Sequence, residues 1–125
     1  MKLVSRKQNS KKLQSYYFGL WVEYLAISFL LLRGYKILKK RYRNYFGEID
    51  LIAKKHDLLL IIEVKARGTV TVIEEVLSNQ QQIRIKKAAE YFVAKNKEYQ
   101  SLGIRFDLII IEPFKWPVHL IGFWN

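Results

Sequence analysis

Apolar residues along this chain fall into runs that separate into one long helix, a second amphipathic helix and several strands. "YYFGLWVEYLAISFLLL" (16–32) is apolar nearly all round and is followed by Arg33 and Gly34. That is stop chemistry for a helix over roughly 14–32 packed between other elements. "YKILKKRYR" (35–43) reads as a basic strand, and Asn44 to Gly47 as a bend. Two strands follow at about 48–54 and 58–66, joined by a tight turn near Lys55–Asp57, and the second, "LLLIIEVK", is apolar on both faces. Such a strand is central in its sheet. A loop or short helix with Glu74 and Glu75 leads to Ser78, an N-cap for a helix from 79 to about 97 that presents Ile85, Ala88, Ala89, Phe92 and Val93 to a core. Gly103 ends this region, "IRFDLIIIE" (104–112) is another central strand stopped by Pro113, and a short strand fits 118–123. Residues 1–12 are polar and basic and read as a flexible arm, leaving 13–125 as a single α/β domain with a mixed β-sheet flanked by helices.

Composition narrows the chemistry. The chain has no cysteine, which excludes disulfides and thiolate metal sites and fits a reducing, cytoplasmic location. His56 and His119 lie too far apart in the sequence to suggest a zinc site. Lys and Arg outnumber Asp and Glu by 22 to 11, and within the first 43 positions Glu23 is the only acid. Such a balance suits a polyanion, nucleic acid ahead of an anionic membrane surface, although surface charge also serves solubility. Stable membrane insertion of 16–32 is not expected. The run is shorter than the ~20 residues of a span, and an acid near its middle costs roughly 2.5–3.5 kcal/mol.

The exception to this basic chain is "FGEIDLIAKKHDLLLIIEVKAR" (46–67), which sets Glu48, Asp50, Glu63 and Lys65 among strand residues. Symmetric pairing about His56–Asp57 puts Asp50 opposite Glu63 and Glu48 opposite Lys65, all four on the face that Ile52 and Ile61 continue toward the turn. Two facing carboxylates repel unless a proton or a cation lies between them. A hard divalent ion suits the position, since Mg²⁺ takes one or two carboxylates and keeps several waters. With Lys65 beside it, the set has the parts of metal-assisted phosphodiester hydrolysis. The same residues also fit a cross-strand ion-pair network that fixes register, with Glu48 the partner of Lys65.

Asp, about a dozen residues, then Glu-x-Lys at the end of an apolar strand resembles the PD-(D/E)XK nuclease superfamily, whose fold is restriction-endonuclease-like. "GEIDLIA", "IIEVKAR", the upstream Gly-x-x-x-Glu-x-x-Ala of the first helix and the downstream "RFD" are more closely similar to the YraN family. These are small uncharacterised bacterial proteins similar to archaeal Holliday-junction resolvases. The resemblance implies Asp50 and Glu63 as catalytic metal ligands for Mg²⁺ or Mn²⁺, with the Val64 carbonyl beside them, and Lys65 as the catalytic lysine. It also implies Glu23 as a further metal ligand; on the residues alone Glu23 reads as a paired core acid. Gly19 and Ala26 lie on its side of the helix, where small residues allow close approach to the sheet.

Arg41, Arg43, Arg67, Gln82 and Arg84 are candidate nucleic-acid contacts. Gln81 stands where the family commonly has a basic residue, and Arg41 where asparagine is expected. Asp107 reads as structural, paired with Arg105 or a backbone donor, and Trp21, Trp116 and Trp124 read as packing residues. The resulting expectation is a metal-dependent endonuclease on structured or branched DNA, favoured over RNA, with a homodimer as a means of cutting two strands. The alternative is a non-catalytic nucleic-acid-binding module that keeps the nuclease fold.

Overall fold

The computed structural model describes residues 2–66 and 77–124, with side chains from Tyr17 onward. Its elements are α1 (Lys2–Leu32), β1 (Lys36–Asn44), β2 (Gly47–Lys55), β3 (Leu58–Ala66), α2 (Asn79–Lys95), a 3-10 turn (Lys97–Tyr99), β4 (Gly103–Ile111) and β5 (Val118–Trp124). The strands form one sheet in the order β1-β2-β3-β4-β5. β3 and β4 pair in parallel, and the other neighbours are antiparallel. This is the mixed-sheet α/β architecture expected from the pattern, consistent with a restriction-endonuclease-like core.

α1 starts at Lys2, well before position 14, so the helix backbone continues through the basic stretch that reads as a separate arm. Its end is as expected. Gly34 takes φ 87°, and the Gly34 and Tyr35 amides donate to the Leu31 and Leu30 carbonyls. Only glycine adopts that left-handed turn without strain. At α2, the Ser78 side chain accepts from the Gln81 amide, and Ile85, Ala88, Ala89 and Phe92 are buried. The stretch with Arg67, Glu74 and Glu75 lies outside the described residues.

The helices pack against opposite faces of the sheet. Ile49, Ile52, Leu59 and Ile61 join Ile85 and Phe92 of α2 in one core. Leu51, Leu60, Ile62 and Ile109 join Val22, Ala26 and Leu30 of α1 in the other. β3, buried from both sides, is the central strand. α1 is not enclosed all round, however, because Tyr17, Leu20, Trp21, Tyr24 and Leu32 on its outer side are exposed.

α2 packs tightly over Gly47, where an added Cβ would lie 3.3 Å from the Arg84 carbonyl oxygen. The larger Gly47→Val should therefore force α2 outward and cost ~1–3 kcal/mol, read as a lowered urea midpoint. An unchanged midpoint would mean that the helix shifts freely.

β5 is tied to β4 by a buried polar cluster. Asp107, 0% exposed, accepts two hydrogen bonds from Arg105 (2.9 and 2.8 Å), one from the Gly122 amide (2.9 Å), and pairs with His119 Nε2 at 2.8 Å. Arg105 also donates to the Tyr35 hydroxyl at 3.3 Å. The structural reading of Asp107 thus holds, with His119 as an additional partner.

Candidate metal centre and cavity

The β2–β3 hairpin has the symmetric register read from its turn: Leu51 faces Ile62, Ile52 faces Ile61, and Lys55 faces Leu58. The ladder ends at Leu51–Ile62, just before Asp50 and Glu63 would pair. There the carboxylates take over the backbone donors. The Asp50 amide donates to Glu63 Oε1 at 3.3 Å, and the Val64 amide donates to Asp50 Oδ2 at 2.9 Å. Buried amides need such partners once a ladder opens.

A second irregularity lies on the β1 side. Register sets Arg41 opposite Asp50, between the pairs Lys40–Leu51 and Tyr42–Ile49, yet these two residues do not pair. Arg41 holds φ 48°, a left-handed conformation uncommon for a residue with a Cβ. The alternation of β2 breaks here, since Ile49 and Ile52 both face α2 while Leu51 faces α1. Local breaks of this kind re-aim side chains.

The consequence corrects the single-face expectation. Asp50 lines a cavity of about 260 Å³ under α1, together with Phe18, Glu23, Arg41 and Val64. Val64 and Ala66 pack on the α1 side and Ile61 on the α2 side, so alternation along β3 turns Glu63 and Lys65 toward α2. Asp50 and Glu63 therefore meet through the opened end of the hairpin, not as neighbours on the face of Ile52 and Ile61.

Their electrostatics differ. Glu63 is 4% exposed, and burial, followed by the charge of Asp50, pushes its carboxyl up to about 9, while the Asp50 amide and the charge of Lys65 pull the other way. A carboxyl so placed keeps its proton at neutral pH unless a cation replaces it. Lys65 is half-buried, and among the described residues no hydrogen bond or ion pair engages its amine.

Glu23 reaches the cavity, but its carboxylate is held by Arg41, with Nε and Nη2 both 2.8 Å from Oε2. Gly19 does not serve close packing against the sheet, since a Cβ there would meet nothing within 4 Å; its missing side chain leaves cavity space. Among the described residues no three His, Asp or Glu side chains converge on a metal position. Glu48 is not the partner of Lys65. It faces Arg43 across the β1–β2 ladder and pairs with its guanidinium at 3.1 Å.

Of the other candidate contacts, Arg41 lines the cavity and Arg43 is exposed beside Glu48. Gln82 and Arg84 belong to α2, on the opposite face of the sheet from the cavity, and the Gln82 amide donates to the Leu77 carbonyl. Trp124 packs on Phe106 with ring centroids 5.2 Å apart, as a packing residue does. Trp21 and Trp116 do not, being 42% and 83% exposed. Spacing on a helix or in a loop does not distinguish the two situations.

Residues 22–111 match the family described as "Uncharacterised protein family UPF0102". A UPF0102 protein of Bartonella tribocorum is 42% identical over 124 residues, covering 99% of this chain and 93% of its own. A UPF0102 protein of Mesorhizobium japonicum is 37% identical over 94% of both chains, and one of Chelativorans sp. 44% identical over 78% of this chain and 79% of its own.

Proposed function

This chain belongs to the uncharacterised protein family UPF0102, and we propose that the opened end of its β2–β3 hairpin, where Asp50 and Glu63 meet beside the cavity, is the site of a metal-dependent nuclease that hydrolyses phosphodiester bonds in structured or branched DNA. The observation that carries this reading is the Asp50–Glu63 pair, which closes the opened hairpin end by capturing two backbone amides and in which burial and the charge of Asp50 push the Glu63 carboxyl up to about 9. The donor set fits Mg²⁺ or Mn²⁺, which accept two carboxylates and fill the remaining positions with water, a main-chain carbonyl such as that of Val64, and phosphate oxygen. When bound, such an ion supplies stabilisation of the charge that builds on the phosphate and an acidified water.

The rest falls to the chain's own residues. Asp50, held by the Val64 amide and lining the cavity, would fix the ion's position. Lys65, on the α2 side of the hairpin end with Glu63 and engaged by no hydrogen bond among the described residues, would donate to a phosphate oxygen at that end and orient the attacking water. Arg41, which holds Glu23 in this structure, would bind a substrate phosphate in its place, and Glu23 so released would be available as a further ligand. The exposed cations Lys36, Lys39, Lys40 and Arg43 of β1 track the backbone; with ~6 phosphates neutralised, log K falls with log salt at a slope near −5. Cutting two strands of a branch calls for two sites, hence a homodimer.

The test is cleavage of labelled duplex, flap, four-way junction and single strand with Mg²⁺ and Mn²⁺. Wild type should cleave, while Asp50→Ala and Lys65→Ala should lose at least ~100-fold in rate with DNA affinity unchanged in Lys65→Ala. Undiminished metal-dependent cleavage by Lys65→Ala would overturn its role. One observation favours a second reading, a nucleic-acid-binding module without turnover: the Arg41–Glu23 pair keeps the third acid away from the other two. Salt-sensitive DNA binding by wild type with no cleavage of any substrate would establish it.

A further inference from the structure

The outer side of α1 holds a second concavity. Trp21, Phe29 and Leu32 line a groove of about 450 Å³ whose other wall is the β4–β5 loop, with Phe114, Trp116 and Pro117. That loop displays its rings instead of burying them. Phe114 is fully exposed at a left-handed φ of 61°, Trp116 is 83% exposed, and Pro113 and Pro117 restrict the backbone around them. Strain of this kind persists where the surroundings impose it and collects at binding sites.

The groove lies next to the cavity. Phe18 lines the cavity and Trp21 the groove, and their ring centroids are 6.2 Å apart. On the sheet side Ala66, which lines the cavity, is in register with Ile111, the neighbour of Glu112 in the groove. Cations stand along this path. The Arg33 guanidinium lies 4.4 Å over the Phe29 ring, Lys115 is exposed at the loop, and Arg41 is at the cavity. The acid present, Glu112, lies 3.7 Å from Lys115, which offsets its charge.

We propose that this groove holds an unpaired stretch of the DNA strand leaving the cavity, its bases stacked on Trp21, Phe114 and Trp116 and its phosphates beside Arg33 and Lys115. This rests on the nuclease reading above and names the substrate class: DNA with a single-stranded flank at the cut. Aromatic faces with cations between them suit bases of any sequence. The cations along the path complement a polyanion as occupant, and a second copy of the chain in the groove is an outcome that sedimentation detects.

The experiment measures fluorescence anisotropy of the full chain, in chelator, with a labelled single strand, a blunt duplex and the same duplex with an unpaired tail of about ten nucleotides, within the span of one or two ssDNA-binding folds. The double variant Phe114→Ala/Trp116→Ala should lose ~10–100-fold in affinity for the single strand and the tailed duplex and stay within about two-fold on the blunt duplex. Phe114→Gly, which relieves the left-handed conformation, provides a variant whose folding is not in question, and it should show the same selectivity to a smaller degree. Quenching of wild-type tryptophan fluorescence by the single strand should shrink when Trp116 is removed. Equal losses on all three DNAs, no loss on any, or conversion of a dimer to a monomer in sedimentation would overturn the assignment. Because binding is read without metal, absence of cleavage leaves the tail preference of the wild type intact. Conversely, cleavage without tail preference removes the groove reading alone.

Discussion

Glu63→Gln should make the metal-free protein more stable at pH 8, by on the order of 3–5 kcal/mol, and on the nuclease reading proposed above it should also abolish cleavage. Burial and the charge of Asp50 raise the folded carboxyl of Glu63 from 4.5 to about 9. The folded state therefore holds this proton more tightly than the unfolded chain does. The stability so gained is complete below pH 4.5 and fades as pH rises toward 9, at up to ~1.4 kcal/mol per pH unit. Glutamine does not titrate. Its carbonyl oxygen can accept from the Asp50 amide as Glu63 Oε1 does, and its NH₂ can donate to the Asp50 carboxylate in place of the acid proton. The difference between variant and wild type should thus be small at pH 5 and grow through pH 6.5 to pH 8, as measured by urea unfolding in chelator. A difference independent of pH, or a less stable variant at pH 8, would show that Glu63 is ionised in the folded protein. Adding Mg²⁺ should stabilise wild type in proportion to ion binding and leave Glu63→Gln unmoved. A site that costs the fold stability until its ligand arrives is what separates a functional acid from a register-fixing ion pair.

Much of this was legible in the residues, and the failures have definite causes. The apolar run of β3, the Ser78 cap and the Gly34 stop are local signals, and the tight turn at His56, with φ 53°, carries the hairpin register from one end. Register alone could not show that the ladder would end at Leu51–Ile62, because that depends on two carboxylates capturing two amides. Once the alternation of β2 breaks at Asp50, every face assigned by counting beyond it is reversed, which is why Glu48 meets Arg43 and not Lys65. The early start of α1 was missed because Lys, Gln and Leu propagate a helix without an apolar stripe to advertise it. Its exposed aromatics were missed because hydrophobicity reports the tendency to be covered, not whether this chain supplies the cover. The pairing of Asp107 with His119 joins two strands through packing that no local pattern contains.

That buried cluster should produce the largest loss. Asp107→Ala should cost ~3–5 kcal/mol, a large part of the total stability of a small domain, and the variant should unfold at far lower urea or fail to accumulate folded. Truncation removes the acceptor of both Arg105 bonds, of the Gly122 amide and of His119 at once, and the His119 side chain is 4% exposed, so water cannot readily replace it. Arg105 keeps only the Tyr35 hydroxyl, and β5 loses its polar tie to β4. Asp107→Asn keeps the shape and an acceptor but not the charge, and should cost about half as much. The pH dependence tells the two roles apart. Burial opposes the charge of Asp107, but the hydrogen bonds of His119, Arg105 and the Gly122 amide outweigh it and hold the carboxyl below its ordinary 3.8. Its contribution is therefore complete above pH 3.8 and lost as pH falls through the lower folded value. The penalty of Asp107→Asn relative to wild type should shrink on acidification from pH 7 to pH 3, in the opposite sense to Glu63, whose proton-linked stability is lost toward alkaline pH. If it does not shrink, the cluster works through shape alone, and the charge on Asp107 contributes nothing to holding β5 in place.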